Sequence, residues 1–242
     1  MTTLLAFDTS ADHLSIALVN NSRISEFTGP GSSQASAQIL PQILKLIHKA
    51  GLSWKDIDLI AYGHGPGSFT GLRTSCSVAQ GLAFGLNLPL LGLDSLMIVA
   101  HQAWIALQCP LFLKINVGMD ARMNEVYVAS YRREVDQWIC FQSPALQDLP
   151  LFQSSVSKSR FTGNASALAA PLSGLCKANE VTLERVSRAY ALAQLALERI
   201  NIDPCLEDPM FATPVYLRNQ VALTTQERAA LRSQQVREAS QK

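Results

Sequence analysis

Ala61-Tyr62-Gly63-His64-Gly65-Pro66-Gly67-Ser68-Phe69-Thr70-Gly71-Leu72-Arg73 decides how the chain is read, because an apolar strand runs there into a glycine-rich turn that opens a helix. Ile57, Leu59, Ile60 and Ala61 give the apolar run of a buried strand in a mostly parallel sheet. Gly63, Gly65 and Gly67 permit positive φ and close backbone approach, Pro66 stiffens the turn, and Ser68 or Thr70 caps the next helix. A helix N-terminus reached through such a turn presents unpaired N–H groups, which suits a phosphate or carboxylate. The same residues also make a plain structural turn. The spacing matches neither common nucleotide loop: Gly65, Gly67 and Gly71 read GxGxxxG, and Leu72-Arg73 stand where a phosphate loop needs Lys followed by Ser or Thr.

Upstream of the turn, 4–7 reads as a first buried strand ending at Asp8-Thr9-Ser10, with further strands at 14–19 and 24–28. A helix begins near Ser36. Ile39, Leu40, Ile43, Leu44, Leu46 and Ile47 form its apolar stripe, expected to be buried, and Gly51 ends it. Downstream, the helix over 70–86 carries Ser77, Gly81 and Gly85 at i, i+4 and i+8. Glycine inside a helix costs about 1 kcal/mol relative to alanine, so the stripe asks for close approach, either of a partner helix or of the protein's own sheet. A strand at 88–93 follows, and Asp94-Ser95 caps a helix running to about 107.

After Cys109-Pro110 the opening pattern returns. The stretch 111–117 leads to Asp120 and a strand at 126–131, as 4–7 leads to Asp8 and a strand at 14–19. The repeat of strand, acidic turn and strand indicates an internal duplication and divides the chain into lobes 1–108 and 109–242. Residues 142–160, rich in Ser, Gln and Pro, read as loops, and Phe161-Thr162-Gly163-Asn164 reads as a turn. The stretch 187–200 reads as an amphipathic helix and 209–214 as extended. Thr224-Thr225-Gln226-Glu227 fits a capping box for a frayed helical tail.

With 242 residues, 48% of them hydrophobic and 16% charged, the chain can form a sizeable core and is not disordered in character. Its formal net charge of +1 supplies no general field for a polyanion, so contact with nucleic acid would need a local patch or a partner. The five cysteines make no CxxC pair and read as free thiols of a reducing compartment. No leader-like N-terminus and no run of membrane-span length occurs, which leads to an expectation of a cytoplasmic protein without a membrane anchor.

Asp8 and Thr9, with Gly65, Gly67 and Ser68, form a candidate anion- or nucleotide-binding group, in which Asp8 would face a magnesium-bound phosphate. An Asp at a strand end is equally a routine turn former. Phosphoryl transfer clamps its nucleotide from several sides, and the second copy, Asp120-Ala121-Arg122-Met123, has no glycine pair to complete the clamp. His13, His48, His64 and His101 make neither HxxxH nor HExxH, so no metal site is expected, and no GxSxG nucleophile elbow is present. The residues alone thus leave open a stand-alone ATPase or kinase and a module without chemistry of its own.

Leu5-Ala6-Phe7-Asp8-Thr9-Ser10, Ile39-Leu40-Pro41, the glycine stretch 62–73, Ala79-Gln80-Gly81-Leu82-Ala83, Asp120-Ala121-Arg122-Met123, Glu125-Val126-Tyr127 and Pro214-Val215-Tyr216-Leu217-Arg218-Asn219 occur in the order that resembles the bacterial TsaB (YeaZ) family. The resemblance covers nearly the whole chain apart from 142–185 and the tail. It implies an α/β, two-lobed actin-like ATPase (ASKHA, ribonuclease H-like) fold with duplicated mixed-sheet lobes. It also implies a part in N6-threonylcarbamoylation of adenosine 37 (t6A) in tRNAs reading codons that begin with A. In the family, TsaD carries the metal and transfers the group, TsaE joins as an ATPase, and TsaB is a non-catalytic scaffold that pairs with TsaD or with itself. A glycoprotease label once attached to relatives finds no metal or nucleophile motif here. Catalytic residues and cofactors of its own are then expected to be none, with ATP, ADP or magnesium entering only in the complex. The family pairs through its first two helices, here about 36–50 and 70–86, which implies a partner interface of Ile39, Leu40, Ile43, Ser77, Gly81 and Gly85. Two positions depart from the family: Ala35-Ser36 stand where His-Ser or His-Thr is common, and His64 where Arg or another polar residue is usual. The glycine turn then reads chiefly as the device that sets the start and angle of helix 70–86.

Overall fold

Strand β1 (Leu4–Asp8) is the centre of the first sheet, flanked by the antiparallel hairpin partner β2 (His13–Asn20) on one side and by the parallel strand β4 (Leu59–Gly65) on the other. Adding β3 (Arg23–Pro30) and β5 (Leu90–Asp94) gives the order β3-β2-β1-β4-β5. The computed structural model describes residues 2–21, 23–31, 34–156, 161–165, 186–202 and 206–218.

Both faces of this sheet are covered, which explains why β1 and β4 read as continuous apolar runs. Leu5, Phe7, Leu14, Ile16, Ile60 and Tyr62 face helices α1 (Ala35–Lys49) and α2 (Phe69–Leu86). Their neighbours Leu4, Ala6, Ala17, Val19, Leu59 and Ala61 pack on the other face with Ile98 of α3 (Ser95–Ala106).

The second sheet repeats the first. Strands β6 (Lys114–Arg122), β7 (Glu125–Arg133) and β8 (Trp138–Asp148) form an antiparallel meander, and β9 (Phe161–Thr162) lies parallel to β6, giving β8-β7-β6-β9. This matches β3-β2-β1-β4 strand for strand, so the repeated hairpin belongs to a repeated half-sheet. Helix α3 lies between the sheets, its Leu96, Val99 and Ala100 against Ile115, Val117, Met119 and Tyr131. Helix α4 (Leu149–Val156) covers the far face of the second sheet with Phe152. Helix α5 (Arg188–Ile202) belongs to the 109–242 half, yet packs Ala189, Leu192, Ala193 and Ala196 on the first sheet.

Several local expectations are corrected. The supposed loops at 142–160 contain the end of β8 and helix α4. As an edge strand with exposed Cys140, Phe141 and Gln142 and two bulges against β7, β8 tolerates Pro144 and shows no clean alternation. Asp148 caps α4, its Oδ1 accepting the Leu151 N–H at 2.9 Å. The strand expected from Ile57 begins at Leu59, because Trp54–Asp56 is a 3-10 turn. Leu40 and Leu44, placed in the buried stripe of α1, are 43% and 37% exposed. The 209–214 stretch opens with a 3-10 turn, Pro209–Phe211. The tail helix expected near 224, and Cys176 and Cys205, lie outside the described residues, while Cys76, Cys109 and Cys140 are free thiols.

His101 of α3 is wholly buried, stacked on Trp104 and edge-on to Trp138, whose indole N–H donates to Nδ1 at 3.3 Å. Burial first, and then the nearby Arg133 cation, pull its pKa down to about 4. The unfolded chain therefore binds the extra proton first as pH falls. Stability is full above the unfolded value of about 6.5 and is lost progressively as pH falls toward 4. His101→Leu is expected to remove about 3 kcal/mol of the stability difference between neutral pH and the acid end of this window, measured by urea unfolding at both pH values.

Candidate functional site

The glycine turn is built around the end of β1. Ser68 caps α2, its Oγ accepting the Gly71 N–H at 3.1 Å, while its own N–H donates to the Ser10 carbonyl at 2.8 Å. Gly65 donates its N–H to Ser95 Oγ at 3.1 Å. A Cβ on Gly67 would lie 2.6 Å from the Ser10 carbonyl oxygen, and one on Gly63 would lie 2.8 Å from the Asp8 carboxyl carbon. Glycine is needed at both places so that chain can lie on chain.

Thr9 is fully buried and closes the same joint. Its hydroxyl donates to the Gly71 carbonyl at 2.6 Å and lies 2.8 Å from Ser75 Oγ, which accepts the Thr9 N–H at 3.0 Å. Thr9→Val is expected to destabilise by about 1–3 kcal/mol, because the Gly71 and Ser75 partners stay buried without it; a lower urea midpoint reads this.

The Asp8 side chain has no exposed surface. Its Oδ1 accepts the Ser10 N–H at 2.6 Å, and its Oδ2 pairs with Nη1 of Arg188 at 3.3 Å. Arg188 opens α5, and Nη1 also reaches Ser10 Oγ at 3.2 Å while Nη2 meets Met119 Sδ at 3.0 Å. Asp8, Thr9, Gly65, Gly67 and Ser68 therefore do converge, and what they contact is largely one another, Ser10, Ser75, Ser95 and Arg188. No local signal pointed to Arg188, which stands 180 residues from Asp8.

Outside this joint a cavity of about 190 Å³ separates the two hairpin turns and is lined by Ser10, Asp12, Gly67, Asp120, Arg122 and Tyr216, among others. Arg122 spans it, pairing with Asp12 of the first half and Asp120 of the second, each at 3.0 Å. The β6–β7 turn holds Arg122, Met123 and Asn124 at φ of 62°, 56° and 59°. The last described segment crosses over this cleft. Val215 donates its N–H to the His64 carbonyl at 2.7 Å, Tyr216 packs at a tilt against Phe69 with ring centroids 5.3 Å apart and accepts from Arg73 Nε at 3.0 Å, and Arg218 pairs with Glu125. A second link between the halves is the Tyr131 hydroxyl, which donates to Asp94 at 2.6 Å. Burial pushes both of these groups up in pKa.

The six residues expected at a partner interface divide in two. Ile39 and Ile43 are fully buried against the first sheet. Leu40, Ser77, Gly81 and Gly85 face solvent, and a Cβ at Gly81 or Gly85 would meet nothing within 4 Å. The sheet side of α2 is made instead by Leu72, Ser75, Cys76, Ala79 and Ala83. The small-residue stripe therefore does not pack on this protein's own sheet. Phe84, 72% exposed, and Leu44 are further exposed apolar side chains on these two helices that were not anticipated at an interface. Of the two departing positions, Ala35 is buried at the start of α1 and His64 lies on β4 against Gly92. Among the described residues no three of His, Cys, Asp or Glu are grouped to hold a metal, and no helix is long and apolar enough to cross a membrane.

Residues 30–146 match the family profile described as TsaD: tRNA N6-adenosine threonylcarbamoyltransferase. The chain is 38% identical over 131 residues to the tRNA threonylcarbamoyladenosine biosynthesis protein TsaB of Escherichia coli, covering 54% of this chain and 55% of that one. It is 38% identical over 132 residues to the protein of the same name from Haemophilus influenzae, with the same coverage. The chain thus spans about half the length of the curated relatives it matches. The solved structure of YeaZ from Pseudomonas aeruginosa superposes with a TM-score of 0.72 at 27% identity, over 90% of this chain and all of that one. The two mixed sheets, with the β3-β2-β1-β4 pattern repeated as β8-β7-β6-β9, form an actin-like (ASKHA) fold. In sequence, in the order of its motifs and in fold, the chain is similar to the TsaB/YeaZ proteins.

Proposed function

We propose that this chain is a cytoplasmic, non-catalytic subunit of the assembly that threonylcarbamoylates adenosine 37 of tRNAs reading codons that begin with A, and that it pairs through α1 and α2 with a TsaD-type subunit. The observation that carries this reading is the open stripe of Gly81 and Gly85 on α2, together with the exposure of Phe84 on the same helix and of Leu40 and Leu44 on α1. Two interior glycines weaken a helix and contribute no packing to this monomer, so their use is a close backbone approach by another helix.

The cleft supports the absence of chemistry. A nucleotide phosphate approaching Asp8 would have to displace Arg188, and the cavity of about 190 Å³ is smaller than the roughly 300–1,000 Å³ usual for a ligand pocket. Nucleotide and magnesium accordingly bind the complex rather than this chain, TsaE joins the larger assembly, and the chain forms a homodimer when alone. The lobes 1–108 and 109–242 act as one body, since α5 packs on the first sheet.

A pull-down with TsaD followed by a tRNA modification assay tests the proposal. The expected result is a stable pair, and product only when both subunits are present with the remaining components. Full product without this chain, or ATP hydrolysis by this chain alone, would overturn it.

A further inference from the structure

Residues 207–218 run as a strap over both halves of the chain, and the strap is rooted on the first. Glu207 donates its N–H to the Leu90 carbonyl of β5 at 2.7 Å. Gln80 of α2 donates from Nε2 to the Pro209 carbonyl at 2.9 Å, and the Cys76 thiol donates to the Ala212 carbonyl at 3.5 Å. The strap then meets the glycine turn. A Cβ on Gly65 would lie 2.6 Å from the Val215 carbonyl oxygen, so the bare backbone there leaves Val215 the room to bond to His64. The far end is fastened to the second half. Leu217 packs on the apolar cluster of the second sheet, and Arg218, besides pairing with Glu125, donates from Nη2 to the Arg122 carbonyl at 3.0 Å.

The two sides of the joint between the halves are unequal. Where the helices join the sheets, Leu96, Val99 and Ala100 of α3 meet Ile115, Val117 and Tyr131, and Ala189, Leu192, Ala193 and Ala196 of α5 lie on the first sheet, all of them buried. The residues lining the cavity include none from α3 or α5, and they do include Val215, Tyr216 and Arg218 of the strap. On that side the Arg122–Asp12 pair has side chains 71% and 61% exposed, and an exposed ion pair holds little on its own. The Arg218 side chain is only 15% exposed, so its pair with Glu125 is less screened. Local opening begins where buried apolar contacts are fewest, which is at the cavity.

We infer that 214–218 is a latch on the cleft. It holds the two hairpin turns together at the mouth, and its release lets the halves swing apart there about the α3 and α5 packing, which stays closed. Opening uncovers Ser10, Asp12, Gly67 and Asp120. Because Tyr216 packs against Phe69 and bonds to Arg73, the same latch ties the β6–β7 turn to the first turns of α2. The device belongs to the chain alone and is independent of any partner on α1 and α2.

The test is the rate at which a thiol reagent modifies a cysteine placed on either wall of the cleft of the full chain, read by mass spectrometry of the peptides. The reporters are Ser10→Cys and Ala121→Cys, whose positions line the cavity and are 1% and 6% exposed. Native Cys76, 5% exposed in the core of the first half, reports loosening of the fold as a whole. Arg218→Gln and Glu125→Gln each unfasten the strap from the second half, and Glu125 does not line the cavity. Each is expected to speed modification of both reporters by about tenfold or more, with the rate at Cys76 unchanged. Arg122→Ala is expected to speed it by about threefold or less. Wild-type reporter rates in both strap variants overturn the inference. So does an equal or larger effect of Arg122→Ala, which would make the exposed pair the latch, and so does a matching rise at Cys76, which would mean that the whole fold has loosened. Circular dichroism with a thermal melt verifies that each variant is folded, and either reporter with either strap variant suffices for the reading.

Discussion

Replacing Gly81 by leucine is expected to stabilise the isolated chain while disabling its pairing. The position is exposed and a Cβ there meets nothing within 4 Å, so the monomer accepts the side chain without repacking. Removing an interior glycine should add roughly 0.7 kcal/mol of helix stability, which for a chain of this size raises the melting temperature by about 2 °C. In a partner complex the same leucine stands where two helices must approach, and widening the separation loses contacts along the whole face. A loss of affinity on the order of 100-fold is expected. The opposite signs of the two effects separate an interface role from a packing role, which would lower both.

The second large effect concerns Arg188. Asp8 has no exposed side-chain surface, and its Oδ2 is paired with Arg188 at 3.3 Å. Breaking a buried pair by removing one partner leaves an uncompensated charge, and Arg188→Met is expected to cost about 3–5 kcal/mol of stability. Asp8→Asn added to Arg188→Met should recover part of this loss, because the buried charge is gone. Denaturant midpoints of the single and double variants check both statements. If Arg188→Met lost nothing, the guanidinium would not be what fills the Asp8 site, and the case against nucleotide binding by this chain would weaken with it.

The parts of the fold that were legible in the sequence are those with strong local causes. β1 and β4 are covered on both faces and therefore appear as unbroken apolar runs. Ser68 and Asp94 cap their helices in the positions their hydroxyl and carboxylate suggest. The duplicated hairpin was legible because both copies keep the same spacing from the acidic residue to the following strand. β8 was not, since an edge strand with Pro144 and exposed Gln142 satisfies no alternation rule.

The proposed pairing face was legible only in outline. The apolar arc of α1 is wider than the sheet can cover, so Leu40 and Leu44 are turned to solvent while Ile39 and Ile43 enter the core. Sequence gives the arc and not the division. Arg188, Met210 and Phe211 acquire their settings from contacts across long stretches of chain, with Asp8 and with Gln80, and carry no periodic or motif signal. The glycine turn shows the same limit: its residues are equally suited to an anion and to a chain crossing, and it is Ser10, Thr9 and Ser95 that occupy donors and acceptors there.

The most direct measurement of the central claim is the t6A content of cellular tRNA, determined by mass spectrometry of its nucleosides after this chain is depleted and then restored. The predicted result is that t6A falls on depletion, returns with the wild-type chain, and does not return with Gly81→Leu although that variant is folded and abundant. Normal t6A in depleted cells, or full restoration by Gly81→Leu, would contradict the account.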